Sequence, residues 1–155
     1  MAKLLIEQIR RNIVRPALKS IDPVIPYSIT AENLIMGTGM AESRYKEFVQ
    51  RNNGPARGWW QMEPATHNDI YWNYLAFKPG VASLVDGGPG DADRMVYDLR
   101  YAVLMCRIHY FRVKQPLPAN EPRALGEYYK RFYNTLEGKA TVGKFVEAYK
   151  RVDIS

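Results

Sequence analysis

Gly39-Met40-Ala41-Glu42-Ser43, followed after a polar loop by Gly54-Pro55-Ala56-Arg57-Gly58-Trp59-Trp60-Gln61-Met62-Glu63-Pro64-Ala65-Thr66, is the stretch on which the fold turns. Its first part closes an apolar run through Leu34, Ile35 and Met36 that begins with a Thr-x-x-Asn start at Thr30. The spacing predicts a buried helix over 30–43 with Glu42 at its end. Asn52, Asn53, Gly54 and Pro55 are loop chemistry, and Pro64 suits the first turn of a further helix that reads on to Tyr74 or Leu75.

Working outward, the pattern stays helical. Leu5, Ile9, Ile13, Ala17 and Ile21 form the apolar stripe of an amphipathic opening helix, with the arginines off that stripe and Pro16 placed to kink or split it. Downstream, Asp86-Gly87-Gly88-Pro89-Gly90-Asp91 reads as a loop. Asp91 is the expected cap of a long core helix with the stripe Met95, Leu99, Ala102, Val103, Cys106, Tyr110 and Val113. Pro116, Pro118 and Pro122 break the chain before helical stretches over about 121–133 and 141–151, with Gly138 between them. No strand-period alternation, internal repeat or long linker interrupts this reading, so residues 1–155 are expected to form a single, mainly α domain.

Composition narrows the class. Lys and Arg number 22 against 16 Asp and Glu, a net charge of +6, which draws the protein to polyanions such as nucleic acid, acidic lipid or wall polymer. The basic residues are scattered (Arg10, Arg11, Arg15, Lys19, Arg100, Arg107, Lys130 and Arg131), and without a helix-turn-helix, finger or RNP signature they read as solvated surface rather than a specific nucleic-acid groove. Apolar runs fall far short of the ~20 residues of a membrane span, and no N-terminal apolar core ends in a small-residue cleavage site, which sets the expectation of a soluble, cytosolic protein. The single cysteine, Cys106, fits a reducing compartment. His67 and His109 lack zinc-site spacing, the 86–93 loop lacks a calcium-loop order, and no Gly-x-Ser-x-Gly elbow or phosphate loop is present. The expected chemistry is therefore free of metal and cofactor.

The Glu42-Ser43 pair and the ordered residues Ala56, Gly58, Gln61, Pro64 and Thr66 carry a resemblance. The chain resembles the soluble lytic transglycosylase and goose-type lysozyme superfamily, whose signature is a Glu-Ser at a helix end followed by roughly Gly-Ala-x-Gly-Leu-Met-Gln-x-Met-Pro-x-Thr. Trp59-Trp60 stands in place of the Leu-Met pair and Glu63 in place of a methionine. Taken whole, the chain looks most like small phage-encoded murein-degrading proteins of this group. The resemblance implies a lysozyme-like helical domain with a central buried helix and a sugar-binding cleft.

It also implies that Glu42 protonates the leaving oxygen of a glycosidic bond and then, as carboxylate, takes the proton of the muramyl C6 hydroxyl, closing a 1,6-anhydro ring. An apolar setting of Met36, Met40 and Ala41 suits a carboxyl that must stay protonated. Ser43 is a candidate to orient that carboxyl, Gln61 to line the cleft opposite it, and Gly58 to allow close backbone approach. Either Trp59 or Trp60 is expected to stack on a sugar face and the other to belong to the core, with Trp60 counted among the expected substrate-binding residues. The family's late Tyr-Asn pair has two candidates here, Tyr128-Tyr129 and Tyr133-Asn134. Glu63 is either a second cleft carboxylate, which would make the enzyme a hydrolase, or a favourable charge at a helix N-terminus.

The expected activity is cleavage of the β-1,4 bond between N-acetylmuramic acid and N-acetylglucosamine in peptidoglycan by a monomeric phage endolysin. Such a protein would collect in the host cytoplasm and rely on a holin-like partner to reach the wall. The alternatives are a lysozyme-type hydrolase, a virion-borne wall-degrading protein, a non-catalytic peptidoglycan-binding module and a small basic nucleic-acid binder.

Overall fold

Two helices lie enclosed by the rest of the chain. In the computed structural model, which describes residues 2–134 and 138–153, α1 (Ala2–Ile9) runs through a π-helical stretch, Arg10–Val14, into α2 (Arg15–Ser20). Then follow α3 (Ile29–Ser43), α4 (Pro64–Asn73), the short α5 (Pro79–Ala82) and α6 (Arg94–Tyr97), α7 (Leu99–Phe111), α8 (Pro122–Phe132) and α9 (Val142–Tyr149). The domain is mainly helical. Among the described residues extended pairing is limited to isolated bridges of Arg57 with Val49 and Met62.

α3 and α7 are the enclosed pair, with buried residues on every face. Such helices belong to a core rather than to an amphipathic surface. Ser28 caps α3, its hydroxyl accepting from the Ala31 amide at 3.0 Å, so the helix starts ahead of the expected Thr30. It ends where Arg44 turns left-handed at φ 55°, which stops the helix directly after Glu42-Ser43. α9 packs across α3 and α8. Gly37 permits that crossing, since a Cβ there would lie 2.5 Å from the Phe145 ring.

Three expectations need correction. The opening helix is not split at Pro16: it runs on from 2 to 20, widened into a π-helical stretch just ahead of the proline. The proline lacks the N–H for the next i to i−4 bond and its ring crowds the preceding carbonyls, and a π turn relieves both. The long helix over 91–113 is two helices. Asp98 breaks the run at φ −112°, ψ 95°, and its carboxylate caps α7 from the Tyr101 amide at 3.0 Å. Asp91 instead accepts from the Gly88 amide at 2.8 Å and closes the loop.

The third correction concerns charge. Arg10 and Arg107 are buried rather than solvated. Arg10 donates to Glu32 Oε2 at 2.6 Å, Asn33 Oδ1 at 2.8 Å and the Val152 carbonyl at 2.8 Å. Arg15 and the Tyr27 hydroxyl complete the shell around Glu32 at 2.7 Å each. One buried carboxylate thus ties the opening helix, α3 and the C-terminal segment together, and these partners hold its pKa below the usual carboxylate range against the opposing effect of burial.

Candidate active site

α3 delivers Glu42 to a cleft of about 850 Å³. The opposite wall comes from α8 and the segment after it. The Tyr129 hydroxyl, on a wholly buried side chain, donates to Glu42 Oε2. Asn134 Nδ2 donates to the same oxygen at 3.3 Å. The amide cannot turn round without loss, because its Oδ1 accepts from Lys130 Nζ at 3.2 Å, and Lys130 also grips the Gly138 carbonyl at 2.9 Å. Two donors therefore fix one carboxyl oxygen, while Oε1 makes no hydrogen bond among the described residues. Burial raises the Glu42 pKa, with the Tyr129 and Asn134 bonds pulling the other way. The geometry thus presents a carboxyl that keeps its proton to higher pH and holds that proton on the unanchored oxygen.

The loop from α3 to α4 forms the rest of the rim. Arg57 and Met62 exchange backbone hydrogen bonds at 2.9 and 3.2 Å, and between them Gly58 and Gln61 take left-handed φ values of 76° and 49°. Two backbone carbonyls secure this turn to the helices. Ser43 Oγ donates to the Trp59 carbonyl at 2.6 Å, and the Tyr133 hydroxyl donates to the Trp60 carbonyl.

The structure brings Glu42, Ser43, Gln61, Glu63, Tyr133 and Asn134 to one cleft, and it relocates the other candidates. Trp60 is core: its ring is buried and Nε1 donates to the Ile35 carbonyl at 2.9 Å. Trp59 stacks on Phe48 with centroids 5.4 Å apart, outside the cleft lining. Tyr128 points elsewhere, bonding the Gln115 carbonyl at 2.9 Å and stacking on Tyr110. Gly58 does serve close approach, but to the Met95 carbonyl, 2.5 Å from where a Cβ would stand, and not to a ligand. Ser43 orients the loop rather than the carboxyl. Of the two candidate pairs, Tyr129 of one and Asn134 of the other are the residues that bond Glu42.

Several cleft residues were not among the candidates: Thr66, which entered only as a match of the signature, His109, and the basic side chains Arg44, Lys139 and Lys144. His109 also carries a local signal, an Arg112 one helical turn ahead on the same face. Burial and the neighbouring Arg112 push the His109 pKa down to about 4. Among the described residues no group of three His, Cys, Asp or Glu side chains gathers to hold a metal, and no helix is long and apolar enough to cross a membrane. Comparison with known proteins finds no family model, no curated protein and no solved structure that matches the chain.

Proposed function

We propose that this chain is a muralytic enzyme of lysozyme-like fold that cleaves the β-1,4 bond between N-acetylmuramic acid and N-acetylglucosamine by lytic transglycosylation. The observation that carries the reading is the Glu42 carboxyl. It stands in an open cleft, its pKa is raised by burial, and Tyr129 and Asn134 hold one oxygen so that the other is free to give a proton. The resemblance of the Glu42-Ser43 and Ala56 to Thr66 segments to the transglycosylase superfamily supports the same role.

In the proposed reaction Glu42 Oε1 gives its proton to the glycosidic oxygen as the muramyl C1–O bond breaks. The carboxylate left behind then takes the proton of the C6 hydroxyl as that oxygen bonds to C1, which closes the 1,6-anhydro ring and returns the acid to its starting state. No water is consumed. Tyr129 and Asn134 stabilise the carboxylate between the two steps, because hydrogen bonds to a charged oxygen are stronger than those to a neutral one. Arg44, Lys139 and Lys144 in the cleft lining suit an anionic wall polymer. An endolysin that reaches the wall through a holin-like partner, or a virion-borne counterpart, fits this activity.

Glu63 in the same cleft favours a second reading, hydrolysis with Glu63 directing water. Mass spectrometry of the products from isolated peptidoglycan separates the two. Muropeptides ending in 1,6-anhydromuramic acid, and absent with Glu42→Gln, are expected. Reducing-end muramic products would assign hydrolysis, and product formation undiminished in Glu42→Gln would overturn the role of Glu42.

A further inference from the structure

His109 lines the Glu42 cleft from the last turn of α7, and its two ring nitrogens have different surroundings. Arg112 Nη2 lies 3.2 Å from Nδ1. A guanidinium can only donate, so Nδ1 must be the acceptor, and a neutral imidazole then carries its proton on Nε2. Arg112 is itself fixed by Asp69, Nη1 to Oδ2 at 2.7 Å. The ring stands edge-on to Tyr133 with centroids 5.2 Å apart, and the Tyr133 hydroxyl is committed to the Trp60 carbonyl. The imidazole is therefore held in orientation, tautomer and charge by Asp69, Arg112 and Tyr133.

Nε2 has no protein partner among the described residues. Among the described residues the buried, unpartnered side-chain nitrogens are Arg10 Nε and Trp59 Nε1, and His109 Nε2 is not one of them. A fixed N–H that faces a cleft without an acceptor is a binding group awaiting one. We propose that His109 Nε2–H is a substrate-binding donor that takes the acetamido carbonyl oxygen of an N-acetylated sugar, a role that rests on the glycan-cleaving reading of the cleft. The donor is neutral, so it matches an uncharged amide oxygen, whereas carboxylates find their complement in the lysines and Arg44 of the same cleft.

The test pairs a binding measurement with a spectroscopic one. Calorimetric titration with the β-1,4-linked trimer of N-acetylglucosamine should show binding by the wild-type chain that weakens about five- to tenfold in His109→Phe, which keeps a flat ring beside Tyr133 but has no donor. Long-range nitrogen–proton correlation spectra of the ¹⁵N-labelled wild-type chain at pH 7 should show His109 protonated on Nε2 alone, with that nitrogen shifting as the trimer is added. Equal affinity in His109→Phe, an Nδ1 proton or an imidazolium would overturn the proposal while leaving the glycan reading intact. No trimer binding by the wild-type chain would overturn both.

Discussion

The Tyr129 hydroxyl, from a side chain closed off from solvent, donates to Oε2 of Glu42, and Oε1 makes no hydrogen bond among the described residues. Tyrosine and carboxyl together form a supported acid: burial lifts its pKa, and the hydroxyl limits how far. Tyr129→Phe keeps the ring packed on Phe145, 5.0 Å away, and removes the hydroxyl alone. The alkaline limb of the pH–rate profile should move to higher pH, because the lost bond favoured the ionised form. The turnover number should fall about ten- to a hundredfold, as expected for a hydrogen bond to a charged group. An unmoved limb would count against Tyr129 acting through Glu42.

Glu42→Gln should abolish product and at the same time stabilise the fold. A carboxyl whose folded pKa is raised contributes most below its unfolded pKa and loses stability as pH rises through the folded value. Glutamine escapes that loss. The gain, about 0.5–2 kcal/mol as is common when a functional group is neutralised, should appear in thermal melts at pH 8 and shrink toward pH 4.

His109 gives the opposite slope. Its folded pKa is pushed down to about 4 from an ordinary 6.5, so its stabilising contribution is whole above pH 6.5 and is lost as pH falls through 6.5 toward 4. The loss amounts to roughly 3 kcal/mol at most. His67, whose pKa burial also lowers, adds in the same direction. Urea midpoints across this range should fall with acid, and less steeply in His109→Phe.

Glu32→Gln tests the buried ion cluster. Arg10 would keep its charge in a site 1 % exposed, without the carboxylate that neutralises it. Breaking one side of a buried pair costs about 3–5 kcal/mol, measurable by urea unfolding at pH 7.

Trp60→Phe should cost about 1–3 kcal/mol, through lost volume and the lost Nε1 hydrogen bond to the Ile35 carbonyl. Because the ring is core, trimer affinity should change little beside the effect of His109→Phe. A selective loss of sugar binding at unchanged stability would return Trp60 to the cleft.

Much of the helical plan was legible because proline, glycine and capping residues punctuate it. Glu42 stands out only through the resemblance carried by Glu42-Ser43 and the ordered residues Ala56 to Thr66, because an acid at a helix end taken alone reads as surface. The break at Asp98 was hidden because Met95, Leu99 and Ala102 keep helical spacing straight across it, with no proline or glycine to mark the change. The Arg10–Glu32 pair was hidden because a charge in an amphipathic helix reads as surface until its distant partner is known. Trp59 and Trp60 could not be told apart, since the left-handed turn at Gly58 and Gln61 decides which ring goes inward. The divided Tyr-Asn support was illegible for a similar reason: it depends on where α8 ends, and Asn134 reaches Glu42 only because the helix has stopped.

The turn carrying Trp59 and Trp60 is moored at its carbonyls, by Ser43 from one side and Tyr133 from the other. A carbonyl is common property of every residue, so these moorings are indifferent to the side chains they pass beneath. Shape and vocabulary are thereby uncoupled along the rim: related chains could rewrite the letters at these positions and keep the same architecture around the acid.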